Sequence, residues 1–136
     1  MDLMDSMAIS ASGMKAQTIR MKVASENIAN ADSIIGKDGV NPYKRQIVSF
    51  QSVVDAKTGV NKVEVANIQV DDKQGYKYEY NPAHPMADKN GLLKMPNIST
   101  LKEKTDLKDA ARAYEANISA IDASKSMMSR SLDMLK

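Results

Sequence analysis

The residues of this sequence that could act as a catalytic base are limited to one histidine. His84 lies between Ala83 and Pro85, in a segment rich in loop-forming residues. A catalytic triad needs a base beside a nucleophile and a third group that orients the base. The flanking residues supply neither, so we interpret His84 as a surface or packing residue. The sequence predicts no catalytic residues and therefore no enzyme.

The segment 86–97 partly imitates a calcium-binding loop. Asp88 stands at its third position, but the first residue is Met86 and the twelfth is Asn97. An EF-hand needs charged oxygens at its first and last positions to hold the cation. We therefore expect a turn here and predict no metal site.

Asp71 and Asp72 are adjacent, so in a strand their side chains point to opposite faces, and no further ligand accompanies them. The chain contains 0 cysteines, which excludes thiolate metal sites and disulfides. It also lacks a phosphate-binding glycine loop and the basic-aromatic pattern of single-strand nucleic-acid binding. We predict no cofactor, no small-molecule substrate and no nucleic acid.

Composition and charge are those of one ordinary globular chain. The 136 residues are 43% hydrophobic, and the net charge of +2 is too small to indicate an acidic partner. No apolar run approaches the roughly 18 residues of a membrane helix, so we predict no membrane insertion. The start "MDLMDS" has two acids where a secretory signal carries bases. We expect no cleaved signal peptide.

Residues 3–29 are predicted to form an amphipathic helix. Eight residues follow one another at alternating spacings of three and four, which is typical of a coiled-coil contact over about four heptads. We call this set the methionine stripe: Met4, Met7, Ala11, Met14, Thr18, Met21, Ser25 and Ile28. Its small residues allow a partner helix to approach closely.

The middle of the chain is predicted to be β structure. Residues 43–54 are rich in β-branched and aromatic residues, and residues 61–70 alternate with a change of phase that indicates a bulge near 66–67. Residues 76–80 alternate cleanly, and their three tyrosines are expected to form one packed face. Residues 81–97 contain three prolines and are expected to be irregular.

Residues 106–135 are predicted to form a second long helix with Asp106 as its N-cap. Apolar residues again recur at spacings of three and four, interrupted only by Lys125. The predicted contact set is Leu107, Ala111, Tyr114, Ile118, Ile121, Lys125, Met128, Leu132 and Leu135.

The fold class is therefore α+β, with two terminal amphipathic helices paired in a coiled-coil-like arrangement around a small β-rich insert. The predicted divisions are 1–30 for the N-terminal helix, 31–105 for the linker and insert, and 106–136 for the C-terminal helix. The insert is too small to cover both helices. A hairpin closed within one molecule is one solution, and assembly with other chains is the one we favour, because burying each large apolar side chain contributes roughly 1.5–3 kcal/mol.

Four segments resemble the bacterial flagellar axial proteins. They are "ENIANADS" (26–33), "GKDGVNPYKRQIVSFQ" (36–51), "YNPAHPMADKNGLLKMPNIS" (80–99) and "ARAYEANISAIDASKSMM" (111–128). The resemblance extends over nearly the whole chain, and the second and third of these segments are most similar to the proximal-rod members of the flagellar basal-body rod family.

The resemblance implies a structural subunit of the rod, which crosses the periplasm, transmits torque and is exported by the flagellar type III apparatus. It implies that terminal helices pack with neighbouring axial subunits and that the insert lies outside. The implied partners are other proximal-rod proteins, the distal-rod protein, the export-gate adaptor at the rod base and copies of the chain itself. A soluble helical-hairpin adaptor or export chaperone is the alternative function.

The candidate assembly residues combine both helices. The apolar ones are Met7, Met14, Met21, Ile28, Tyr114, Ile118, Ile121, Met128 and Leu132. The polar ones, expected to fix the register between helices, are Asn27, Asn30, Arg112 and Asn117. For Asn30 a left-handed helix cap is an equal alternative. The family usually has a more apolar stretch where this chain has Lys104 and Lys108, which could face another neighbour, the lumen or solvent.

Overall fold

The computed structural model describes residues 2–36 and 39–135; Met1, Lys37, Asp38 and Lys136 lie outside the described residues. The elements in chain order are α1 (Leu3–Ala29), β1 (Gln46–Val54), β2 (Asn61–Val70), β3 (Lys77–Tyr80), β4 (Leu92–Met95) and α2 (Thr100–Asp133). The predicted α+β class, with long terminal helices around a β-rich insert, is confirmed.

Both ends of α1 are closed by local polar side chains, at the limits that the sequence predicts. Asp2 is the N-cap, and its backbone N–H donates to Asp5 Oδ2 at 3.0 Å in a capping box. Asn30 is the C-cap, with its side-chain amide donating to the carbonyl of Glu26 at 2.8 Å. Its φ of −104° is not left-handed. The cap role of Asn30 is therefore confirmed, and its predicted left-handed conformation is wrong because the side chain closes the last turn.

The second helix, α2, begins six residues earlier than the sequence predicts. Ser99 is its N-cap, and its hydroxyl accepts the backbone N–H of Lys102 at 3.5 Å. The prediction that Asp106 caps this helix is wrong, because Asp106 lies in the second turn and pairs with Arg20 instead. The division of the chain into an inner helical domain and an outer insert stays a prediction.

β1 and β2 form an antiparallel hairpin with the predicted bulge. Ser49 pairs with Asn67 and Phe50 pairs with Val65, so Ala66 is the extra residue. The outer edge of β2 meets α1, where the backbone N–H of Val63 donates to the Ser12 hydroxyl at 3.2 Å. Because an open strand edge is a template for wrong pairing, this contact both protects the hairpin and attaches it to the helix.

Asp55 fixes the turn between β1 and β2. Its Oδ2 accepts Lys62 Nζ at 2.5 Å, and its Oδ1 accepts the backbone N–H groups of Lys57 and Thr58 at 2.9 and 3.2 Å. The hydrogen bond from Lys62, helped by those two backbone bonds, lowers the pKa of Asp55 to about 2. The carboxylate thus stabilises the turn in its ionised form.

This pKa predicts an acid-dependent contribution to stability. A carboxyl whose pKa is lower in the folded state stabilises it above the unfolded-state value of 3.8, and that stabilisation disappears as the pH falls to about 2. We expect Asp55→Asn to lower the melting temperature at pH 7, and the difference from wild type to shrink between pH 4 and pH 2. Thermal unfolding followed by circular dichroism measures this, and a difference that stays constant over that range would contradict it.

β3 lies where the sequence predicts a strand, and it forms a second antiparallel hairpin with β4, which lies inside the region that was predicted to be irregular. Lys77 pairs with Met95 and Tyr80 with Leu92, so the prediction for residues 81–97 is wrong at its C-terminal end. The prolines lie in the connecting turns, and Gly91 supplies the positive φ of 76° that leads into β4. The chain can therefore resume a strand beyond them.

The predicted packed tyrosine face is also wrong. Tyr78 is 59% exposed and Tyr80 is 72% exposed. Tyr76 instead lies under the ammonium group of Lys94, 4.1 Å from the ring centre, with Lys44 at 5.5 Å. Among the described helices and strands, β3 and β4 contact only each other, so none of these elements covers the other two rings.

The two helices pack antiparallel, and the core around them is built mainly from small side chains. Among the described residues the buried apolar set is Ala16, Val23, Ala24, Ala31, Tyr43, Leu93 and Ala110. Neither described helix is long and apolar enough to cross a membrane. A core this small leaves most of the large apolar side chains of the chain outside it.

Candidate assembly surface on the helix pair

Asn27 is the junction at which α1, α2 and the insert meet. It is 1% exposed, and its side-chain oxygen accepts the hydroxyl of Tyr43 and the backbone N–H of Gln46, both at 2.9 Å. Its amide donates to the Gln46 carbonyl at 2.9 Å and to Glu103 Oε2 at 3.0 Å. All four hydrogen-bonding positions of this side chain are thus used within the chain.

Glu103 brings a negative charge into this junction. The carboxylate is 2% exposed, and its Oε1 accepts Arg45 Nε at 2.5 Å. Arg45 also contacts Asp71 at 3.5 Å. Burial lowers the pKa of Arg45, but the hydrogen bonds and negative charges of Glu103 and Asp71 outweigh it and raise this pKa. The guanidinium therefore remains a permanent counter-charge for the buried carboxylate.

Tyr43 completes the junction from the linker side. Burial raises the pKa of its hydroxyl, and the negative charges of Glu26 and Glu103 raise it further. The hydroxyl therefore stays protonated at neutral pH and donates to Asn27. The segment that leads from α1 into the insert is held by side chains from three different elements.

Three contacts fix the register of α1 against α2. Asn27 contacts Glu103, and Arg20 forms a two-bond ion pair with Asp106 that includes Nε–Oδ2 at 3.2 Å. Farther along, a Cβ added at Gly13 would lie 3.0 Å from Asn117 Nδ2. Glycine is needed there because the amide of Asn117 occupies the space in front of it. Asn27 thus makes a polar contact between the two helices, whereas the amide of Asn117 donates to Ala113 of its own helix at 2.8 Å, so its predicted role in setting the register stays a prediction.

Gly13, Arg20 and Asn27 make the three register contacts and lie seven residues apart. Extending this spacing along α1 identifies the side of the helix that faces α2. Its residues are small or polar in all but one case: Leu3, Ser6, Ser10, Gly13, Gln17, Arg20, Ala24 and Asn27. Each of them is buried or half-buried. The intrachain contact of α1 is therefore not the methionine stripe.

The side of α2 that faces α1 differs from the predicted contact set. At every second position of that set, the facing residue is the one just before the predicted residue. The facing residues are Glu103, Leu107, Ala110, Tyr114, Asn117, Ile121, Ser124 and Met128, all buried or half-buried. Leu107, Tyr114, Ile121 and Met128 were predicted. Ala110, Asn117 and Ser124 face α1 in place of the predicted Ala111, Ile118 and Lys125, and Glu103 is added before Leu107. Lys125 therefore does not interrupt the contact between the helices. At positions 117 and 118 the sequence pattern chose the apolar Ile118, whereas the helix pair places the smaller Asn117 between the helices.

The methionine stripe lies on a third side of α1. The β1–β2 hairpin covers another side, where Ala8, Ser12 and Ile19 line a cleft with Val63 and Val65 of β2. In the stripe itself, the residues at one heptad position, Met4, Ala11, Thr18 and Ser25, are exposed, and Met7, Met14, Met21 and Ile28 are half-buried. Met4 is therefore the large stripe side chain that is mostly exposed, and the other large side chains of the stripe keep only part of their surface exposed along α1.

α2 extends this uncovered surface. Ile118 is 36% exposed and Leu132 is 58% exposed, and both fall at the heptad position beside the stripe. Arg112 is exposed, as are Lys104 and Lys108, whereas Asn117 donates to its own helix at Ala113. As contacts with other subunits, the candidate assembly residues stay a prediction.

The junction residues Glu103, Arg45 and Tyr43 were not predicted as functional. Glu103 could have been found, because it stands four residues before Leu107 and so continues the same three-four spacing. A carboxylate at such a position must find a buried cation, but no local signal says that Arg45 supplies it. That pairing depends on how the linker folds back.

The residues first considered for chemistry have structural contacts. His84 Nδ1 accepts the backbone N–H of Met86 at 3.1 Å, and Asp88 Oδ1 accepts those of Asn90 and Leu92, so the predicted turn is confirmed. Asp72 pairs with Lys44 at 2.8 Å. No cluster of three or more potential metal ligands occurs among residues 2–36 and 39–135.

Comparison with known proteins identifies the family. Residues 7–33 match the family described as "Flagella basal body rod protein", and residues 89–134 match "Flagellar basal body rod FlgEFG protein C-terminal". The FlgC flagellar basal-body rod protein of Agrobacterium fabrum is 40% identical over 128 residues, covering 94% of this chain and 91% of its own. Those of Salmonella typhimurium (40% over 136 residues, 98% of each chain) and Aquifex aeolicus (35% over 136 residues, 100% of this chain and 99% of its own) are similar. With identity of this extent over nearly the full length of both chains, this chain belongs to the FlgC family of flagellar basal-body rod proteins.

Proposed function

We propose that the chain is a structural, non-enzymatic subunit of the flagellar basal-body rod, in its proximal part. The observation that carries this is the methionine stripe, which runs along α1 and is only partly covered within one chain, since Met4 is 59% exposed and Met7, Met14, Met21 and Ile28 are half-buried. Relatives named as rod proteins over nearly the whole chain support the same function. A subunit with such a stripe buries it only by packing against other chains.

The polar junction gives this subunit a way to transmit torque. A load applied to the insert passes to both helices through Asn27, Glu103 and Arg45, which link three elements by short hydrogen bonds. Because proteins respond to force along their packed and bonded contacts, the junction holds the insert at a fixed angle to the helix pair. The helices in turn pack against neighbouring axial subunits through the sides that face neither each other nor the insert.

The partners that fit this function are axial proteins. We propose contacts with other proximal-rod proteins, the distal-rod protein, the export-gate adaptor at the rod base and further copies of the chain. The site of action is the rod within the periplasm, reached by flagellar export without cleavage of a signal peptide.

The test is complementation of a strain that lacks its own copy of this rod subunit. Met14→Lys combined with Met21→Lys places two charges on the stripe, and we expect at least a tenfold loss of basal bodies that contain the chain and of swimming cells. Gln51→Lys with Gln69→Lys adds the same charge on exposed strand positions and should leave both readouts near wild type. Circular dichroism verifies that both variants remain helical.

The alternative of an adaptor or export chaperone predicts a different distribution. Such a protein would remain in the cell body and be absent from purified basal bodies of the complemented strain. Detection of the wild-type chain by mass spectrometry in those particles supports the rod subunit, and its consistent absence would favour the adaptor.

A further inference from the structure

β3 is an edge strand whose residues are all exposed, and among the described helices and strands it contacts only β4. The backbone N–H of Asn81 donates to the carbonyl of Gly91 at 2.9 Å, so Glu79, two residues earlier, also turns its backbone groups toward β4. The backbone groups of Tyr78 and Tyr80 therefore point away from β4, and neither residue has a hydrogen-bond partner there among the described residues. β3 thus offers open backbone groups to another strand.

The side chains of β3 alternate in the order base, tyrosine, acid. Lys77 and Glu79 are exposed, and neither forms an ion pair with another described residue. When two such strands run antiparallel with Tyr78 opposite Tyr78, Lys77 of each copy lies opposite Glu79 of the other. The edge of β3 is therefore complementary in charge to a second copy of itself.

We propose that the chain outside the rod forms a dimer in which β3 pairs antiparallel with β3 of a second copy. The two hairpins then make one four-stranded sheet in the order β4–β3–β3–β4. Tyr78 lies at the two-fold axis and exchanges both of its open backbone hydrogen bonds with the same residue of the other copy. The inference goes beyond the proposed function, which concerns the chain once it is part of the rod.

Charge and hydrogen bonding select the same register. The open backbone groups of Tyr78 and Tyr80 bond only when residues with open groups lie opposite them. A shift of two residues keeps that match but places Glu79 opposite Glu79 or, in the other direction, Lys77 opposite Lys77. Like charges directly opposite one another are destabilising. In the proposed register each lysine meets an acid in a non-hydrogen-bonded pair, where Cα atoms approach to about 4.5 Å.

The other charges of the hairpin do not oppose this pairing. Lys94 lies on β4 opposite Tyr78, so in the dimer the two copies of Lys94 are three strand spacings apart, about 14 Å. That distance exceeds the Debye length of about 8 Å at physiological ionic strength. Asp72 is already paired with Lys44 at 2.8 Å. The remaining charged residues lie outside the two strands: Lys73, Asp88 and Lys89.

The pairing also covers tyrosine rings that one chain leaves in water. Tyr78 is 59% exposed and Tyr80 is 72% exposed. Residues directly opposite each other share a face of the sheet, so Tyr78 meets Tyr78 and Tyr80 meets Tyr76, the residue just before β3. Aromatic pairs of this kind stabilise antiparallel strands.

The other strand edges fit a second copy less well. β2 has the same order of base, apolar residue and acid in Lys62, Val63 and Glu64. However, the backbone N–H of Val63 donates to Ser12 of α1, and Lys62 is paired with Asp55. β1 has no charged residue between positions 46 and 54 that could select a register. The sequence and the open backbone groups together therefore favour β3.

The proposed contact closes after two copies. Both copies use the same residues, so the contact is isologous, whereas an open polymer needs two different patches. The dimer therefore belongs to the chain before it joins other axial proteins. Few residues take part, so the buried area falls below that of a standard interface and the dimer is weak.

Sedimentation velocity of the purified full-length chain, up to about 1 mM, tests the pairing. We expect wild type to form dimers and Glu79→Lys, which opposes two lysines, to lower the association constant at least tenfold. Lys77→Glu combined with Glu79→Lys exchanges the charges and should restore the dimer. Glu64→Lys is the matched control, because it makes the same change at an exposed position of β2 and should associate like wild type.

The backbone hydrogen bonds are tested separately from the charges. Tyr78→Pro and Tyr78→Ala both remove the ring, but only proline removes the outward N–H. Proline is tolerated on an edge strand because that N–H has no partner within the sheet. We expect Tyr78→Pro to abolish the dimer and Tyr78→Ala to retain part of it, with both variants keeping the wild-type circular dichroism spectrum.

Disulfide cross-linking tests the register, because the natural chain contains 0 cysteines. One tagged copy carries Lys77→Cys and a differently tagged copy carries Glu79→Cys, which leaves the second charge pair intact. We expect these copies to form a disulfide on mild oxidation. Copies that both carry Glu79→Cys are the control, since their Cα atoms would lie about 8 Å apart, too far for a disulfide. They should give less than a tenth of the cross-link.

Three results would overturn the inference. They are a wild-type chain that stays monomeric over the whole range, a dimer that is unchanged by both Glu79→Lys and Tyr78→Pro, and equal cross-linking of the two cysteine pairs. The second result would assign the dimer to another surface. None of them affects the proposed rod function, which is tested by detection of the chain in basal bodies.

Discussion

Replacing Asn27 with alanine will destabilise the chain by about 3–5 kcal/mol, the largest effect expected of any single substitution in α1. The side chain satisfies the Tyr43 hydroxyl, both backbone groups of Gln46 and one oxygen of Glu103. Each buried polar group that loses its partner costs about 1–3 kcal/mol. Urea unfolding followed by circular dichroism measures the loss, which should lower the midpoint without changing the slope.

The neighbouring asparagine provides a matched control for this substitution. Asn30→Ala removes a C-cap whose bonds are local to Glu26 and Ser33, so we expect a loss of about 0.5–1 kcal/mol. Asn27→Asp keeps the shape but places a second carboxylate against Glu103, and it should be at least as damaging as Asn27→Ala. If Asn27→Ala and Asn30→Ala have equal effects, Asn27 is only a local helix stop.

These two asparagines also show how far a sequence pattern can go. The motif "ENIANADS" was predicted to be both a helix end and a contact, and the two roles fall on different residues. Asn30 closes the helix through its own last turn, which is local and therefore visible in the sequence. Asn27 acts through Tyr43, Gln46 and Glu103, which are distant in the sequence. Hydrogen-bond partners that are far apart in the sequence cannot be recognised from a short segment of it.

The boundaries of α1 and the hairpin bulge were predictable for the same local reason. Capping at Asp2 and Asn30, and the change of phase at Ala66, depend on residues within a few positions. The start of α2 was missed because Asp106 is a good cap by type, but tertiary pairing with Arg20 outweighs that preference. β4 was missed because Pro82 and Pro85 made the whole segment read as loop.

The contact sides of the helices required the structure. The apolar stripes identified a helix-packing pattern correctly, but hydrophobicity alone does not say which partner each stripe meets. Within the chain, α1 uses small and polar residues such as Ser10, Gly13 and Ala24 against α2. Close packing of small residues between the helices leaves Met4 exposed and Met7, Met14 and Met21 half-buried. A pattern that looks like an intrachain core can therefore be a surface for other chains.

Replacing Arg45 with methionine tests the electrostatic half of the junction. The substitution keeps an unbranched side chain of similar length but removes the guanidinium that pairs with the buried carboxylate of Glu103. Breaking a buried ion pair on one side costs about 3–5 kcal/mol because the remaining charge is uncompensated. Arg45 keeps contact with water at 28% exposure, so we expect about 3 kcal/mol, measured as the shift of the urea midpoint.

The double variant Arg45→Met with Glu103→Met separates the contribution of the junction to the stability of the fold from its contribution to swimming. Removing both charges eliminates the unpaired carboxylate, so the double variant should be more stable than Arg45→Met alone. It should still fail to support swimming, because the amide of Asn27 loses Glu103 as an acceptor and the insert is no longer held to both helices by polar contacts. A double variant that swims like wild type would show that the junction stabilises the fold without transmitting torque. Equal losses for the single and double variants would show that the ion pair itself contributes little.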